Sequence, residues 1–230
     1  MKWESQNPWL KISAEDYEGH MSAPNVMQLE MLSEIFANVM NEISPKSIAF
    51  LGCTTGNGFE HLIGRDIEQI VGVDINPEYI SVCSERFAEK LPQMSLICDD
   101  LSKVSLPDST FDLIHAALVF EYVDTDMLLS RISKWLKPDG ILSVVLQLPS
   151  ETSSAVSQTK YESVKLLSSF IKLIEPEEFK KTAQKYGLEE IKNDKIKLAS
   201  GKSFSVIKYV GKGLSPRFAG EAGRSSQEIK

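Results

Sequence analysis

The sequence predicts an α/β domain whose sheet is mostly parallel and closes with an antiparallel pair, and three observations carry that expectation. Short apolar runs at 47–51, 69–74, 94–98, 111–117 and 141–148 alternate with segments of helical spacing. Strand–helix–strand repeats joined by short links fold as right-handed crossovers into a sheet covered on both faces. A glycine-rich turn, LGCTTGNG at 51–58, directly follows the first run. The last two segments, 188–199 and 203–211, are separated by Ser200-Gly201-Lys202, a link short enough for a hairpin.

The elements follow in order. Residues 1–20 are rich in aromatics (Trp3, Trp9, Tyr17) and weakly periodic. Residues 25–42 place Val26, Leu29, Leu32, Ile35, Phe36 and Val39 on one face of an amphipathic helix, which Ser44-Pro45 ends. A helix near 57–64 follows the glycine turn. Asn76-Pro77 closes the second strand and opens a helix that runs to about residue 90, because proline suits the first helical turn. Pro107-Asp108 marks a turn, and Asp124 N-caps a helix over 124–136. Residues 137–140 read as a tight turn into the fifth strand. Beyond it come a Ser/Thr-rich loop (150–160), an amphipathic stretch (161–174) and a helix over 177–186 that Gly187 terminates.

Composition narrows the classes. With 230 residues, 42% hydrophobic and 25% charged, the chain can bury one sizeable core as a single domain. A net charge of −7 repels phosphate backbones and argues against a dedicated nucleic-acid binder. A local basic excess at Lys192, Lys195, Lys197, Lys202, Lys208, Lys212 and Arg217 reads as the solvated face of the terminal strand pair. Cys53, Cys83 and Cys98 form no C-x-x-C pair, and His20, His61 and His115 have no metal-ligand spacing. Neither a disulfide framework nor a metal site is expected, and a reducing cytosol fits. No apolar run approaches the roughly 20 residues of a membrane span, so a cytoplasmic location is expected.

The chemistry gathers at the carboxyl ends of the strands, where open α/β sheets bind ligands. Gly52, Gly56 and Gly58 give the spacing G-x-x-x-G-x-G; glycines there admit positive φ and close backbone approach. Asp74 ends the second strand, 22 residues after Gly52, where a carboxylate can accept both hydroxyls of a ribose. Asp99 and Asp100 follow the third strand, placed to accept from an adenine amino group. Together the first three strand ends would hold a nucleoside. A plain tight turn and a helix-start acid before Pro77 are the structural alternatives.

The ordered set of motifs resembles the class I S-adenosylmethionine-dependent methyltransferase family. LGCTTGNG resembles its LGCGTG turn, GVDINPEYI its ribose-binding strand and CDD its adenine-contacting segment. FDLIHAALVFEYV resembles its fourth-strand motif, and LKPDGIL its LKPGGxL. These matches cover about residues 47–147. The resemblance implies a Rossmann-like seven-stranded sheet in the order 3-2-1-4-5-7-6, with the last strand antiparallel and helices on both faces. It implies one domain over 1–211, with 1–44 as an N-terminal helical cap and 150–175 as a lid on the substrate side. Residues 212–230 are then a flexible tail. The implied cofactor is S-adenosyl-L-methionine, with S-adenosyl-L-homocysteine as product. Its contacts would be Gly52, Cys53, Thr54, Gly56, Asp74, Ile75, Asp99, Asp100, Leu101 and the Ala116-Ala117 step. A small-molecule acceptor would face Trp9, Tyr17, His20, Phe120, Tyr122 and Gln147, with His20, Tyr17 and Glu121 as possible catalytic groups. Transfer would be an in-line displacement governed by positioning. Two positions depart from the family pattern: Thr54 stands where the turn usually has glycine, and Phe50 where the first strand usually carries an acid.

Two other readings stay open. Tyr161-Glu162-Ser163-Val164-Lys165 is similar to the Tyr-x-x-x-Lys pair of short-chain dehydrogenases. Against that reading, no serine stands thirteen residues before Tyr161, and the fourth strand lacks the Asn-Ala-Gly turn of that family. The second alternative is a non-enzymatic binding module on the same fold.

Overall fold

The computed structural model describes residues 7–150 and 154–211. The sequence's cap residue Trp3, its basic residues Lys212 and Arg217 and the whole expected tail lie outside them. Seven strands form one sheet in the order β3-β2-β1-β4-β5-β7-β6. These are β1 (Ser47–Leu51), β2 (Gln69–Asp74), β3 (Met94–Cys98), β4 (Phe111–Ala117), β5 (Leu136–Gln147), β6 (Leu188–Lys197) and β7 (Ser203–Gly211). The first five are parallel neighbours, and β7 runs antiparallel to both β5 and β6.

Burial explains the strand assignments. All five residues of β1 are buried, as a central parallel strand covered on both faces requires. The outer strand β6 is mostly exposed. One face of the sheet packs Leu128, Leu129, Ile132 and Trp135 from α4 (Thr125–Trp135), with Phe179 from α5 (Pro176–Lys185). The other packs Phe36, Val39 and Met40 from α2 (Gln28–Ile43) and Cys83 and Phe87 from α3 (Pro77–Phe87). A third cluster joins α1 (Ala14–Ser22) to α2, Tyr79 and the segment around Val164 and Leu167.

Helix boundaries follow local chemistry. Asn76 caps α3 by accepting from Glu78 N, with Pro77 in the first turn. Asp124 caps α4 by accepting from Met127 N at 2.8 Å. α5 ends where Gly187 takes φ +73°.

Three elements differ from the sequence expectation. The helix expected near 57–64 is a single 3-10 turn, Phe59–Leu62, because Gly58 at φ +89° precedes it and Gly64 at φ +76° follows. The stretch over 161–174 is amphipathic as expected, burying Val164 and Leu167, but its regular part is a shorter 3-10 helix, Glu162–Ser169. The tight turn expected at 137–140 lies within β5, which starts at Leu136 opposite Phe111 and takes up the irregularity as a register shift before Leu113. Residues 137–140 have no partners in β4, and Asp139 at φ +62° turns the chain there.

Gly56 shows how tightly the glycine turn sits on α3. Its φ is +88°, and a Cβ would lie 2.7 Å from the Phe87 ring and 2.9 Å from Cys83 Sγ, both buried. Gly56→Ala is expected to destabilise the fold by about 3 kcal/mol, combining left-handed strain with overpacking. Urea denaturation reads this as a lower midpoint at an unchanged slope.

Candidate active site

A cleft opens at the carboxyl ends of β1, β2, β3, β4 and β5, and encloses about 1140 Å³ of empty space, solvent mouth included. The floor is the glycine turn. Gly52 takes φ +71°, and a Cβ there would stand 2.7 Å from Val119. Gly52 N and Cys53 N both donate to Val73 O, at 2.8 and 3.0 Å, which pins the turn to β2.

Asp74 organises the adjoining wall. One carboxylate oxygen accepts from Thr54 N at 2.8 Å and the other from Asn76 N at 2.9 Å. Burial pushes its pKa up to about 6, against the pull of these backbone donors. Each oxygen keeps a second lone pair for a ligand hydroxyl. Asp99 sits beside it, with its N–H on Asp74 O at 3.0 Å.

Thr54 resolves one departure from the family pattern. It adopts φ +48°, the conformation a glycine would take there. Leu118 at φ +55° is a second non-glycine residue in this region, and both line the cleft. Such strain persists where surrounding contacts over-determine the backbone, and it concentrates at functional sites. Phe50 explains the other departure. It stacks against Phe36, Phe59 and His115 in the buried aromatic cluster and does not line the cleft.

The N-terminal segment packs over the Asp74 end of the cleft through specific anchors. Asn76 Nδ2 donates to Trp9 O at 2.8 Å and Ile12 O at 3.1 Å. Glu78 accepts from Ala14 N at 3.0 Å. Glu18 pairs with Arg86 and accepts from Thr55 Oγ1, tying α1 to both α3 and the glycine turn. Trp9, Tyr17 and Tyr122 form an aromatic wall, with ring centroids 6.1 Å (Trp9–Tyr17) and 5.0 Å (Trp9–Tyr122) apart. The segment after β5 docks on α1, where the Tyr161 ring occupies the space above Gly19 that a side chain would fill.

Of the residues singled out from sequence, the cleft gathers Gly52, Thr54, Asp74, Ile75, Asp99, Asp100, Leu101, Trp9, Tyr17, His20, Glu121, Tyr122 and Gln147. Four stand elsewhere. Cys53 turns under the sheet against Gly72. Gly56 faces α3, and Ala116 points into the core while Ala117 reaches the cleft. Phe120 packs edge-on against Phe179, with centroids 4.7 Å apart, on the far side from the cleft. Alternation along β4 sends Ala116 and Ala117 to opposite faces. The Tyr-x-x-x-Lys pair is also outside the cleft: Lys165 pairs with Glu162 on the surface.

The three possible catalytic groups separate by proton affinity. Burial drives Tyr17 up to about 12. Burial and the charge of Lys202 bring His20 down to about 4, and its Nδ1 pairs with Thr159 Oγ1 at 2.9 Å. Burial lifts Glu121 to about 7. Its Oε1 accepts from Gln147 N at 2.8 Å, and its Oε2 is buried with no partner among the described residues. Glu121 alone titrates near neutrality, the condition for efficient proton transfer.

Two residues that the sequence did not mark, Gln28 and Lys202, complete the far end of the cleft, beside Ala155 and Val156 of the segment expected on the substrate side. Lys202 had no distinguishing signal among the C-terminal lysines. The hairpin turn sends it inward, 3% exposed, in place of the solvated face expected for it. Lys208 is buried too, paired with Glu42.

Comparison with known proteins agrees with this geometry. Residues 50–144 match the family described as a methyltransferase domain. Phosphoethanolamine N-methyltransferase 3 of Arabidopsis thaliana is 26% identical over 106 residues, 46% of this chain and 22% of that one. The carboxy-S-adenosyl-L-methionine synthase of Shewanella denitrificans is 32% identical over 108 residues, 44% of each. The chain therefore spans less than half the length of these curated relatives. Among solved structures, the N-methyltransferase NodS of Bradyrhizobium japonicum, in complex with S-adenosyl-L-homocysteine, superposes with a TM-score of 0.64 at 14% identity. It covers 85% of this chain and 96% of that one. The [4+2]-cyclase SpnF superposes with a TM-score of 0.65 at 13% identity, covering 82% of each.

Proposed function

From the premise that residues 50–144 belong to the class I S-adenosylmethionine-dependent methyltransferase family, we propose that the chain binds S-adenosyl-L-methionine in the cleft and transfers its methyl group to a small-molecule acceptor. The observation that carries this reading is the Asp74 carboxylate, buried at the end of β2 between the glycine turn and Asn76. The residues present fit the cofactor: Gly52 leaves its approach free of a Cβ, Asp74 would accept from the ribose diol, and Asp99 and Leu101 would hold the base.

When bound, the cofactor supplies a methyl group already activated as a sulfonium, so alignment matters more than proton transfer. Trp9, Tyr17 and Tyr122 exclude water from the meeting point. Glu121 takes a proton from an acceptor that must lose one, since its affinity matches neutral pH. Tyr17 and His20 stay neutral at pH 7 and shape the wall. The aromatic lining and the acidic chain favour a small acceptor over nucleic acid. Among the described residues no helix is long and apolar enough to cross a membrane. Three unpaired cysteines suit a reducing compartment such as the cytoplasm.

Titration calorimetry with S-adenosyl-L-methionine is expected to show saturable micromolar binding, with S-adenosyl-L-homocysteine competing. A folded protein that binds neither would overturn the proposal. Release of S-adenosyl-L-homocysteine in the presence of an acceptor then distinguishes methyl transfer from other chemistry, such as that of the cyclase on the same fold.

A further inference from the structure

The two ends of the cleft carry opposite charge. Asp74, Asp99 and Asp100 stand at the nucleoside end, Glu121 stands between, and Lys202 lies at the acceptor end. Lys202 Nζ donates to Ala155 O at 2.7 Å and reaches Gln147 Oε1 at 3.5 Å. Both partners are neutral, and among the described residues no carboxylate pairs with this ammonium, although it has three protons to donate. A buried charge without a counter-charge is unfavourable and is ordinarily paired. Burial brings the Lys202 pKa down to about 8, which leaves it mainly cationic at neutral pH.

A second donor lines the same cleft. Gln28 is 4% exposed, and its Nε2 is buried with no partner among the described residues. Gln28 is also the first residue of the 16-residue α2, whose N-cap Met27 makes no side-chain hydrogen bond. The positive end of that helix therefore adds to the field of the lysine. Gln147 fixes the spacing of the end as a whole: its backbone N–H holds Glu121, and its side chain reaches Lys202.

We infer that the acceptor is a compact anion, a small molecule bearing a carboxylate or phosphate group, held by Lys202 and the Gln28 amide with its nucleophilic atom toward Glu121. The inference takes the identity of this ligand as the methyl acceptor from the methyltransferase reading. The anion site itself stands on an ammonium that has no carboxylate partner among the described residues, and on the Gln28 amide beside it. One glutamine separates the proton acceptor from the anion holder, so the nucleophile and the charged group are only a few bonds apart.

The test titrates the full chain, with and without saturating S-adenosyl-L-homocysteine, using sodium phosphate, sodium acetate and neutral acetamide at matched ionic strength. Saturable binding of phosphate or acetate is expected, and whichever binds more tightly identifies the anionic group. Lys202→Met is expected to weaken that binding at least tenfold and Gln28→Leu severalfold, whereas Lys202→Arg retains it. Affinity for S-adenosyl-L-homocysteine should stay within about twofold in all three. Equal anion affinity in the wild type and Lys202→Met, or acetamide binding as tightly as acetate, would overturn the inference and leave Lys202 as a strap on the lid. If Lys202→Met does not fold, Gln28→Leu decides the matter, and an unchanged anion affinity in that variant overturns the inference. Lysine-dependent anion binding in a chain that ignores S-adenosyl-L-homocysteine would sink the methyltransferase reading and leave the anion site standing.

Discussion

Asp74→Asn is expected to lower affinity for S-adenosyl-L-methionine by roughly a hundredfold while leaving the protein folded. Two effects combine in binding. The charged acceptor for the ribose hydroxyls is lost, and hydrogen bonds to charged groups contribute about 1.5–3 kcal/mol each. The amide also has one acceptor oxygen for two backbone donors, so either Thr54 N or Asn76 N faces an NH₂ group, and the glycine turn loses a fixed point. About 3 kcal/mol in total corresponds to roughly a hundredfold. Stability should change little, because neutralising this buried carboxylate relieves a desolvation penalty that offsets the lost turn contacts. Calorimetry and a thermal melt on the same sample check both parts. Binding to the wild type should also weaken as pH falls through about 6, where Asp74 takes up its proton. A variant that melts normally and still binds tightly would show that Asp74 is only a structural acid.

Glu121→Gln is expected to raise stability above pH 7 and to slow transfer to any acceptor that must be deprotonated. The carboxyl is fully buried, with one oxygen unpartnered, and its pKa stands at about 7 against the usual 4.5. The sign follows from proton linkage. A raised carboxyl pKa gives the folded state an advantage that is complete below 4.5 and is lost as pH rises through about 7. The ionised group then costs roughly 3 kcal/mol, at about 1.4 kcal/mol per tenfold change in proton affinity. Glutamine keeps an oxygen for Gln147 N but introduces an unpaired NH₂, so a net gain of about 1–2 kcal/mol is expected at pH 8. That gain corresponds to a melting temperature higher by about 2–8 °C, and it should vanish near pH 4. His20 and His115, both brought down to about 4 by burial, act in the opposite sense: their contribution is present above 6.5 and is lost as pH falls through about 4. Comparing variant with wild type at each pH cancels them. A proton acceptor of this kind is worth about 10²–10⁴-fold in rate, so turnover should fall by at least a hundredfold. Retention of a costly buried acid accords with a role in catalysis more than in folding.

Much of the fold was legible because its signals are local. The apolar runs at 47–51, 69–74, 94–98 and 111–117 needed only period and composition to be read as strands, and Asn76-Pro77 and Asp124 announced their helices through cap chemistry. The 3-10 turn at Phe59–Leu62 escaped because its flanking glycines, not its own spacing, decide its length. The inward start of β5 escaped because Lys-Pro-Asp-Gly has turn chemistry, and only pairing of Leu136 with Phe111 draws it into the sheet.

At the cleft, the sequence by itself determined the end built from the strand tips. Gly52, Asp74 and Asp99 lie at the tips of consecutive strands, and chain order places strand tips without knowledge of packing. Only tertiary structure decided the opposite end, to which the proposed acceptor site is assigned. Lys202 and Gln28 are 174 positions apart and carry no motif. Which of seven strands' neighbours turn inward depends on the hairpin, on α2 and on the segment from Ala155 to Tyr161 packing together. The proton affinities of Glu121, His20 and Tyr17 likewise come from burial, a property of the assembled chain that residue type alone does not contain.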